Sequence, residues 1–237
     1  MILSIHQPSY FPWLGLLDKI RKSDVFIVMD EVQLSDSAYQ HRNLFSAPDG
    51  QVKFLTIPFS KKNYLRRPFG EVEIASADWR KKHFNFLCNA YRKHPYASEM
   101  LPILEQFYAV EYRLLIDAVL ASMSISFDLF GIEAQIVRQS AMAYDRTLRR
   151  ADLVVALVRA SGANCYLSGT GARSYLDESL FPEGVALRYN QFQHPVYPQQ
   201  GAAEFREGLA CLDVLFNLGK RGARALLREN ATAIANA

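Results

Sequence analysis

The chain of 237 residues is half hydrophobic and 22% charged, and its formal net charge is only +3. This composition supports a sizeable core and excludes a globally disordered chain, and the weak net charge argues against a nucleic-acid-binding protein. The three cysteines lie far apart in the sequence, which argues against a disulfide framework and against a Cys-rich zinc site. We see no signal peptide and no run long enough to span a bilayer, so we expect a cytoplasmic protein without a transmembrane segment.

The N-terminal segment predicts a βαβ unit. Residues 2–5 form a short apolar run typical of a buried strand, and residues 14–22 have the apolar spacing of a helix. Residues 24–30 are nearly all apolar, as in a strand covered on both faces. Such a crossover joins two parallel strands.

The rest of the chain alternates in the same way. We predict a mainly helical segment at about 78–124, and helices at 148–160, at 211–218 and from 226 onward. Strands are predicted at 52–57, 71–74 (an edge strand), 132–137, 164–167 and 185–189. The pattern predicts a single α/β domain over 1–237, Rossmann-like with a mainly parallel sheet and a helical insertion.

Polar residues follow the first predicted strand, where open α/β sheets bind their ligands. His6 is a candidate acid–base catalyst, and Gln7 and Tyr10 are candidate ligand contacts in a loop that Pro8 and Pro12 stiffen. For Tyr10 and the other aromatic residues of this loop, plugging the end of the core is the more common role.

Further candidates follow the second strand. Asp30 would lie beside the first loop, where a carboxylate orients an imidazole or raises its pKa; an ordinary strand-end cap explains it equally well. Arg42 and Asn43 combine a guanidinium with an amide, and Arg suits bidentate binding of phosphate or carboxylate. The basic run 61–67 is either a solvated loop or a patch for a phosphate-bearing ligand.

Two later loops also follow predicted strands. Ser168, Gly169 and Thr170 begin a turn whose backbone N–H groups suit an anion, although neither a P-loop nor a dinucleotide fingerprint is complete, and a plain turn remains open. In the Pro-rich segment 191–199, His194 and Tyr197 are candidate acid–base or hydrogen-bonding groups; the alternative is an ordered surface loop. No His or Cys spacing indicates a zinc site.

Six segments together resemble the WbqC-like proteins: 6–15, 24–30, 42–43, 166–169, 194–199 and 212–219. They occur in the family's order and span nearly the whole chain. The resemblance implies a role in the synthesis of O-antigen and other surface polysaccharides, because genes of the family often lie beside the genes for these polysaccharides. A glycine (aminoacyl) transferase activity is suggested for some members. The matching polar and aromatic residues carry no established catalytic role in the family; they are His6, Gln7, Tyr10, Trp13, Arg42, Asn43, Ser168, Gly169, His194, Tyr197, Gln199 and Asn217.

The layout of the first segment is also similar to that of HxGH nucleotidyltransferases and class I synthetases. In those proteins a second His follows the Gly, whereas here Leu16 follows Gly15. This departure argues against adenylyl or nucleotidyl transfer.

The leading hypothesis is a transferase that places an acyl or aminoacyl group, such as glycine, on an amino sugar carried by a nucleotide or a lipid. His6 would be the general base, assisted by His194 or Asp30. The residues expected to bind the small-molecule or nucleotide-sugar substrate are Gln7, Tyr10, Arg42, Asn43, Ser168, Gly169, Thr170, Tyr197, Gln199 and Asn217. The alternatives are a nucleotide-dependent ligase or nucleotidyltransferase, and a non-enzymatic binding protein of a glycan-assembly complex. The sequence indicates no metal, and it does not indicate the donor, the cofactor or the oligomeric state.

Overall fold

The computed structural model describes residues 1–35 and 39–229, together with the backbone of 234–236. The strands are Ile2–His6 (β1), Val25–Val28 (β2), Arg42–Ser46 (β3), Val52–Thr56 (β4), Gln135–Arg138 (β5), Cys165–Gly169 (β6), Ala186–Asn190 (β7) and Ile234–Asn236 (β8). The α-helices are Leu14–Arg21 (α1), Trp79–Tyr91 (α2), Ala97–Ala109 (α3), Leu115–Phe130 (α4), Arg150–Ser161 (α5) and Leu212–Glu229 (α6).

The main sheet has the strand order β5-β2-β1-β6-β7-β8. Its first five strands are parallel, and β8 is antiparallel to β7. The chain moves outward from β1 to β2 and β5, and then returns past β1 to β6, so the strand order reverses between β1 and β6. This is the arrangement of a Rossmann-like sheet, which confirms the predicted α/β class, and ligands of such sheets bind at the carboxyl ends of the strands near the reversal.

The two faces of the sheet are covered by different helices. Leu3, Ile5 and Ile27 pack against α5, whereas Phe26 and Val28 pack in the core that contains α1. Successive residues of a strand point to opposite faces. At the carboxyl end of β1, therefore, His6 lies on the α1 face, and Gln7, the next residue, lies on the α5 face.

The long connection between β2 and β5 contains a separate hairpin and three helices. The predicted strand at 52–57 exists as β4, but it pairs with β3 in a two-stranded antiparallel sheet outside the main one. The predicted edge strand at 71–74 is instead a 3₁₀ turn, Phe69–Glu71, followed by single bridges at Glu73 and Ile74. The predicted helical segment consists of α2, α3 and α4.

Helix α6 is longer than the predicted helix at 211–218. It continues across Gly219, whose φ of 65° and ψ of 176° interrupt the regular helix. A Cβ at this position would stand 2.4 Å from the ring of Tyr96, so only glycine fits. The chain end, predicted as helix from 226 onward, is helical to Glu229 and forms β8 at 234–236. Among the described residues, no helix is long and apolar enough to cross a membrane.

Candidate functional site

His6 is the last residue of β1, and its side chain is exposed at the carboxyl edge of the sheet. Its Nδ1 lies 2.8 Å from the carbonyl oxygen of Gln7. Because a carbonyl oxygen only accepts hydrogen bonds, we assign the proton of the neutral ring to Nδ1. The Nε2 atom then carries the lone pair that accepts a proton.

The pKa of His6 is lowered from 6.5 to about 4, chiefly because the surrounding protein desolvates the imidazolium, and also because the Lys19 ammonium repels it. Water still reaches the exposed ring and weakens this desolvation. The direction nevertheless leaves His6 neutral at pH 7. Lys19 itself is buried on α1, where its Nζ donates to the carbonyl of Ile5 at 3.0 Å, and burial lowers its pKa to about 8.

Asp30 follows β2, as predicted, but its carboxylate is directed at β5. It accepts hydrogen bonds from Arg138 Nε at 2.7 Å, from the Ser140 backbone N–H at 2.9 Å and from Ser140 Oγ at 2.6 Å. None of these partners is His6. The contacts tie the carboxyl ends of β2 and β5 together, which fixes the edge of the sheet.

Tyr10 and Asn43 are fully buried and hold the shape of the loop that follows β1. The hydroxyl of Tyr10 shares a 2.5 Å hydrogen bond with that of Tyr108. Asn43 Nδ2 donates to the carbonyls of Tyr10 at 3.0 Å and Phe11 at 2.7 Å. Phe11 has a φ of 41°, in the left-handed region, so these two hydrogen bonds support a backbone conformation that a side chain disfavours.

Trp13 links the first loop to the Pro-rich segment 191–199. Its indole covers Gly15 so closely that a Cβ on Gly15 would stand 2.2 Å from the ring. The indole also meets the ring of Phe192 edge-on at 5.4 Å. Phe192 in turn contacts His194, with 5.8 Å between ring centres, so His194 reaches the first loop through aromatic contacts. The Nδ1 of His194 lies 3.0 Å from the carbonyl oxygen of Pro195.

Three of the residues predicted to bind the substrate lie in a largely buried group around Asp213, which we call the Asp213 cluster; it consists of Tyr91, Tyr197, Gln199, Asp213 and Asn217. Asp213 accepts hydrogen bonds from the hydroxyls of Tyr197 at 2.8 Å and Tyr91 at 3.0 Å. Asn217 Nδ2 donates to the Asp213 backbone carbonyl at 2.8 Å, and Gln199 Nε2 donates to the Tyr197 hydroxyl at 3.1 Å. Burial raises the pKa of Asp213. The cluster holds segment 191–199 against α6.

The turn after β6 lies next to β1, because Ser4 of β1 pairs with Leu167 of β6. Ser168 is buried, while Thr170 is exposed. A Cβ at Gly169 would meet no atom within 4 Å, so open space borders the turn. Arg42 lies elsewhere, on the β3–β4 hairpin, where its guanidinium covers the ring of Phe54 at 4.3 Å.

A cleft of about 1040 Å³ opens at the carboxyl edge on the α5 face. We call it the arginine cleft, because Arg67, Arg146, Arg149 and Arg150 line it together with Gln7 and Gln139. Sequence reasoning missed this cleft, apart from including Arg67 in the basic run 61–67. The cluster Arg146-Thr147-Leu148-Arg149-Arg150 at the start of a predicted helix was the available signal.

Comparison with known proteins gives a clear family assignment. The model of the WbqC-like protein family matches residues 7–225. The chain belongs to this family. The uncharacterized protein Rv1507c of Mycobacterium tuberculosis is 27% identical to this WbqC-like protein over 227 residues, which cover 92% of this chain and 94% of the relative. No solved structure matches the chain.

In this WbqC-like protein the predicted site residues therefore fall into five places. His6, Gln7, Ser168, Gly169 and Thr170 lie at the carboxyl ends of β1 and β6, with Asp30 anchoring the neighbouring edge at β2. Tyr10 and Asn43 shape the first loop from within. Arg42 lies on the hairpin, His194 is joined to the first loop through Phe192, and Tyr197, Gln199 and Asn217 lie in the Asp213 cluster.

Proposed function

We propose that this WbqC-like protein is a cytoplasmic transferase that places an acyl or aminoacyl group, such as glycine, on the amine of an amino sugar. The sugar is carried by a nucleotide or a lipid, and the family resemblance suggests a role in surface-polysaccharide (O-antigen) synthesis. The observation that carries the proposal is the neutral, exposed His6 at the reversal of the strand order, with its Nε2 free to accept a proton.

The chemistry assigned to His6 is general-base catalysis. The amine nitrogen attacks the carbonyl carbon of an activated acyl donor, such as a thioester or ester, and forms the new C–N bond. The bond from that carbon to sulfur or oxygen then breaks, and its electron pair leaves with the departing group. The proton lost by the amine passes to Nε2 of His6 and from there to the departing thiolate or alkoxide, so no oxidant or reductant is needed.

The surrounding residues have supporting roles in this proposal. In this proposal Gln7 and Thr170 bind the substrate at the ends of β1 and β6, and Ser168 is buried beside them. Asp30 is a positioning residue, because it fixes the end of β2 through Arg138 and Ser140. His194 is the second candidate base, since Trp13 and Phe192 connect it to the first loop.

The test is turnover with a panel of nucleotide-linked amino sugars and glycyl donors, followed by mass spectrometry for a gain of one acyl group. We expect His6→Asn to lower kcat by at least about 100-fold, which is the usual contribution of a general base. His194→Asn tests the second candidate base in parallel, because this ring also lies against a neighbouring backbone carbonyl. Retained turnover in a folded His6→Asn protein, with loss in His194→Asn, would transfer the role to His194.

The products of the reaction distinguish the alternative enzymatic hypothesis from the proposed transfer. A nucleotide-dependent ligase or nucleotidyltransferase releases pyrophosphate or ADP from ATP, whereas transfer from a loaded donor does not. Release of either product in step with turnover would replace the proposed reaction with the ligase reaction.

A further inference from the structure

The arginine cleft carries an excess of positive charge that the protein does not neutralise. Its lining contains four arginines and one acidic residue, Glu31. Glu31 is already engaged, since it accepts hydrogen bonds from Arg146 Nε at 3.0 Å and from the Tyr144 hydroxyl at 2.5 Å. Within the described part of the chain, the guanidinium groups of Arg67 and Arg150 form no hydrogen bond and no ion pair.

The other two arginines are fixed in place. Arg146 is held by Glu31 and also donates to the Ser140 carbonyl at 3.3 Å. Arg149 donates from Nη1 to the carbonyls of Arg146 at 2.6 Å and Leu148 at 2.7 Å. Guanidinium groups that are already ordered lose less conformational entropy when they bind an anion.

The backbone adds to the positive potential of the cleft. Helix α5 begins at Arg150, and no side chain caps its first N–H groups. A helix N-terminus carries a partial positive charge that attracts anions, and Asp152 is the one acidic side chain in the first turn of α5. Arg150 also adopts a φ of 53°, in the left-handed region, which adds backbone strain at the same place.

Besides the arginines, glutamines contribute polar groups to the cleft, whose lining is otherwise mostly apolar. Gln139 is 2% exposed, and its Nε2 donates to the Tyr144 hydroxyl at 2.7 Å. Gln7 reaches the cleft from the end of β1, one residue after His6. His6 itself lies on the opposite, α1 face of the sheet and does not line the cleft, so a carrier bound there reaches His6 only across the carboxyl end of β1.

We propose that the arginine cleft binds the diphosphate group of the molecule that carries the sugar. Arg67 and Arg150 contact the phosphate oxygens, and Arg146 and Arg149 with the start of α5 complete the anion site. This identification of the ligand rests on the proposed function, because it makes the diphosphate part of the substrate's carrier. The diphosphate belongs either to a nucleoside diphosphate or to an isoprenoid diphosphate. The cleft volume of about 1040 Å³ lies at the upper end of ligand pockets, which leaves space for either one.

The test is isothermal titration calorimetry of the full chain with inorganic pyrophosphate, uridine diphosphate, farnesyl diphosphate and uridine. We expect the three diphosphates to bind, and we expect the double variant Arg67→Gln/Arg150→Gln to weaken their binding at least about tenfold. Binding should also weaken as salt is raised. Arg159→Gln is the control, because it removes one positive charge from the exposed far end of α5, outside the cleft, and should bind as the wild type does.

The thermal midpoint of the double variant should stay close to that of the wild type, since neither guanidinium has a partner to lose. Tighter binding of uridine diphosphate than of farnesyl diphosphate assigns the carrier to a nucleotide, and the reverse order assigns it to an isoprenoid. Equal pyrophosphate affinity of the double variant and Arg159→Gln, or binding of uridine as tight as that of uridine diphosphate, would overturn the proposal. Binding is measured without turnover. A failure of the diphosphate proposal therefore does not affect the turnover test of His6, and a failure of the His6 proposal does not affect the binding test.

Discussion

The Asp213 cluster and the arginine cleft are both rich in polar groups, but the polar groups are paired with one another in the cluster and only partly paired in the cleft. In the Asp213 cluster the buried carboxylate accepts hydrogen bonds from two tyrosine hydroxyls, and the side chains around it form hydrogen bonds with one another. In the arginine cleft, four arginines face one glutamate, and two of the guanidinium groups have no partner in the described chain. Polar groups that are buried and paired with one another hold a fold together, whereas exposed guanidinium groups without a partner in the protein are available for a ligand.

This contrast separates the family's sequence signature into structural and functional parts. Tyr197, Gln199 and Asn217 belong to the signature, yet their hydrogen bonds hold segment 191–199 against α6. Arg146 and Arg150 lie outside the segments that carry the resemblance. A signature residue is therefore a candidate for packing as much as for chemistry.

The largest expected effect comes from breaking the Asp213 cluster. Asp213→Ala leaves the buried hydroxyls of Tyr91 and Tyr197 without their acceptor, so we expect a loss of roughly 2–4 kcal/mol in the free energy of unfolding. Urea denaturation measures this loss. Glu105→Ala, an exposed carboxylate on α3, is the control and should change stability by less than about 0.5 kcal/mol. Equal stability of the two variants would mean that the cluster is not a structural anchor.

A smaller effect concerns the pH dependence of stability. Burial raises the folded-state pKa of Asp213 above 3.8, so the folded protein binds this proton more tightly than the unfolded chain does. The contribution of Asp213 to stability is therefore greatest below pH 3.8 and decreases as pH rises through the raised pKa. We expect the wild type to lose stability relative to Asp213→Asn, which cannot ionise, over that window. Urea midpoints of both proteins from pH 3.5 upward measure it, and a difference that grows in favour of the wild type contradicts the assignment.

Much of the sheet could be predicted from the sequence, because its strands are buried runs. The apolar runs at residues 2–5 and 24–30 predict strands, and these segments form the parallel pair of β1 and β2. The sequence does not reveal strand β3, because Arg42, Asn43 and Ser46 are polar and the strand forms only by pairing with β4. The length of α6 was missed, because Gly219 and Gly222 normally end a helix, whereas here the ring of Tyr96 packs against Gly219.

The candidate site could be predicted only where it follows strand ends. The sequence predicts His6 and Asp30 at the carboxyl edge, because each follows a recognisable strand. That the two side chains point to different partners depends on which face each residue occupies and on Ser140, far away in the sequence. The arginine cleft combines residues at the ends of β1, β2 and β5 with the start of α5, and no local pattern reveals that Arg67 and Arg150 line the same cleft.

The most direct test of the distinction between these two regions is hydrogen–deuterium exchange with and without saturating inorganic pyrophosphate. We predict slower exchange in residues 144–154, at the start of α5, and a smaller decrease in residues 6–13, while residues 91–97 and 212–217 remain unchanged. Protection confined to 191–199 and 212–217, with no change at 144–154, would contradict the assignment and place the ligand site at the Asp213 cluster instead.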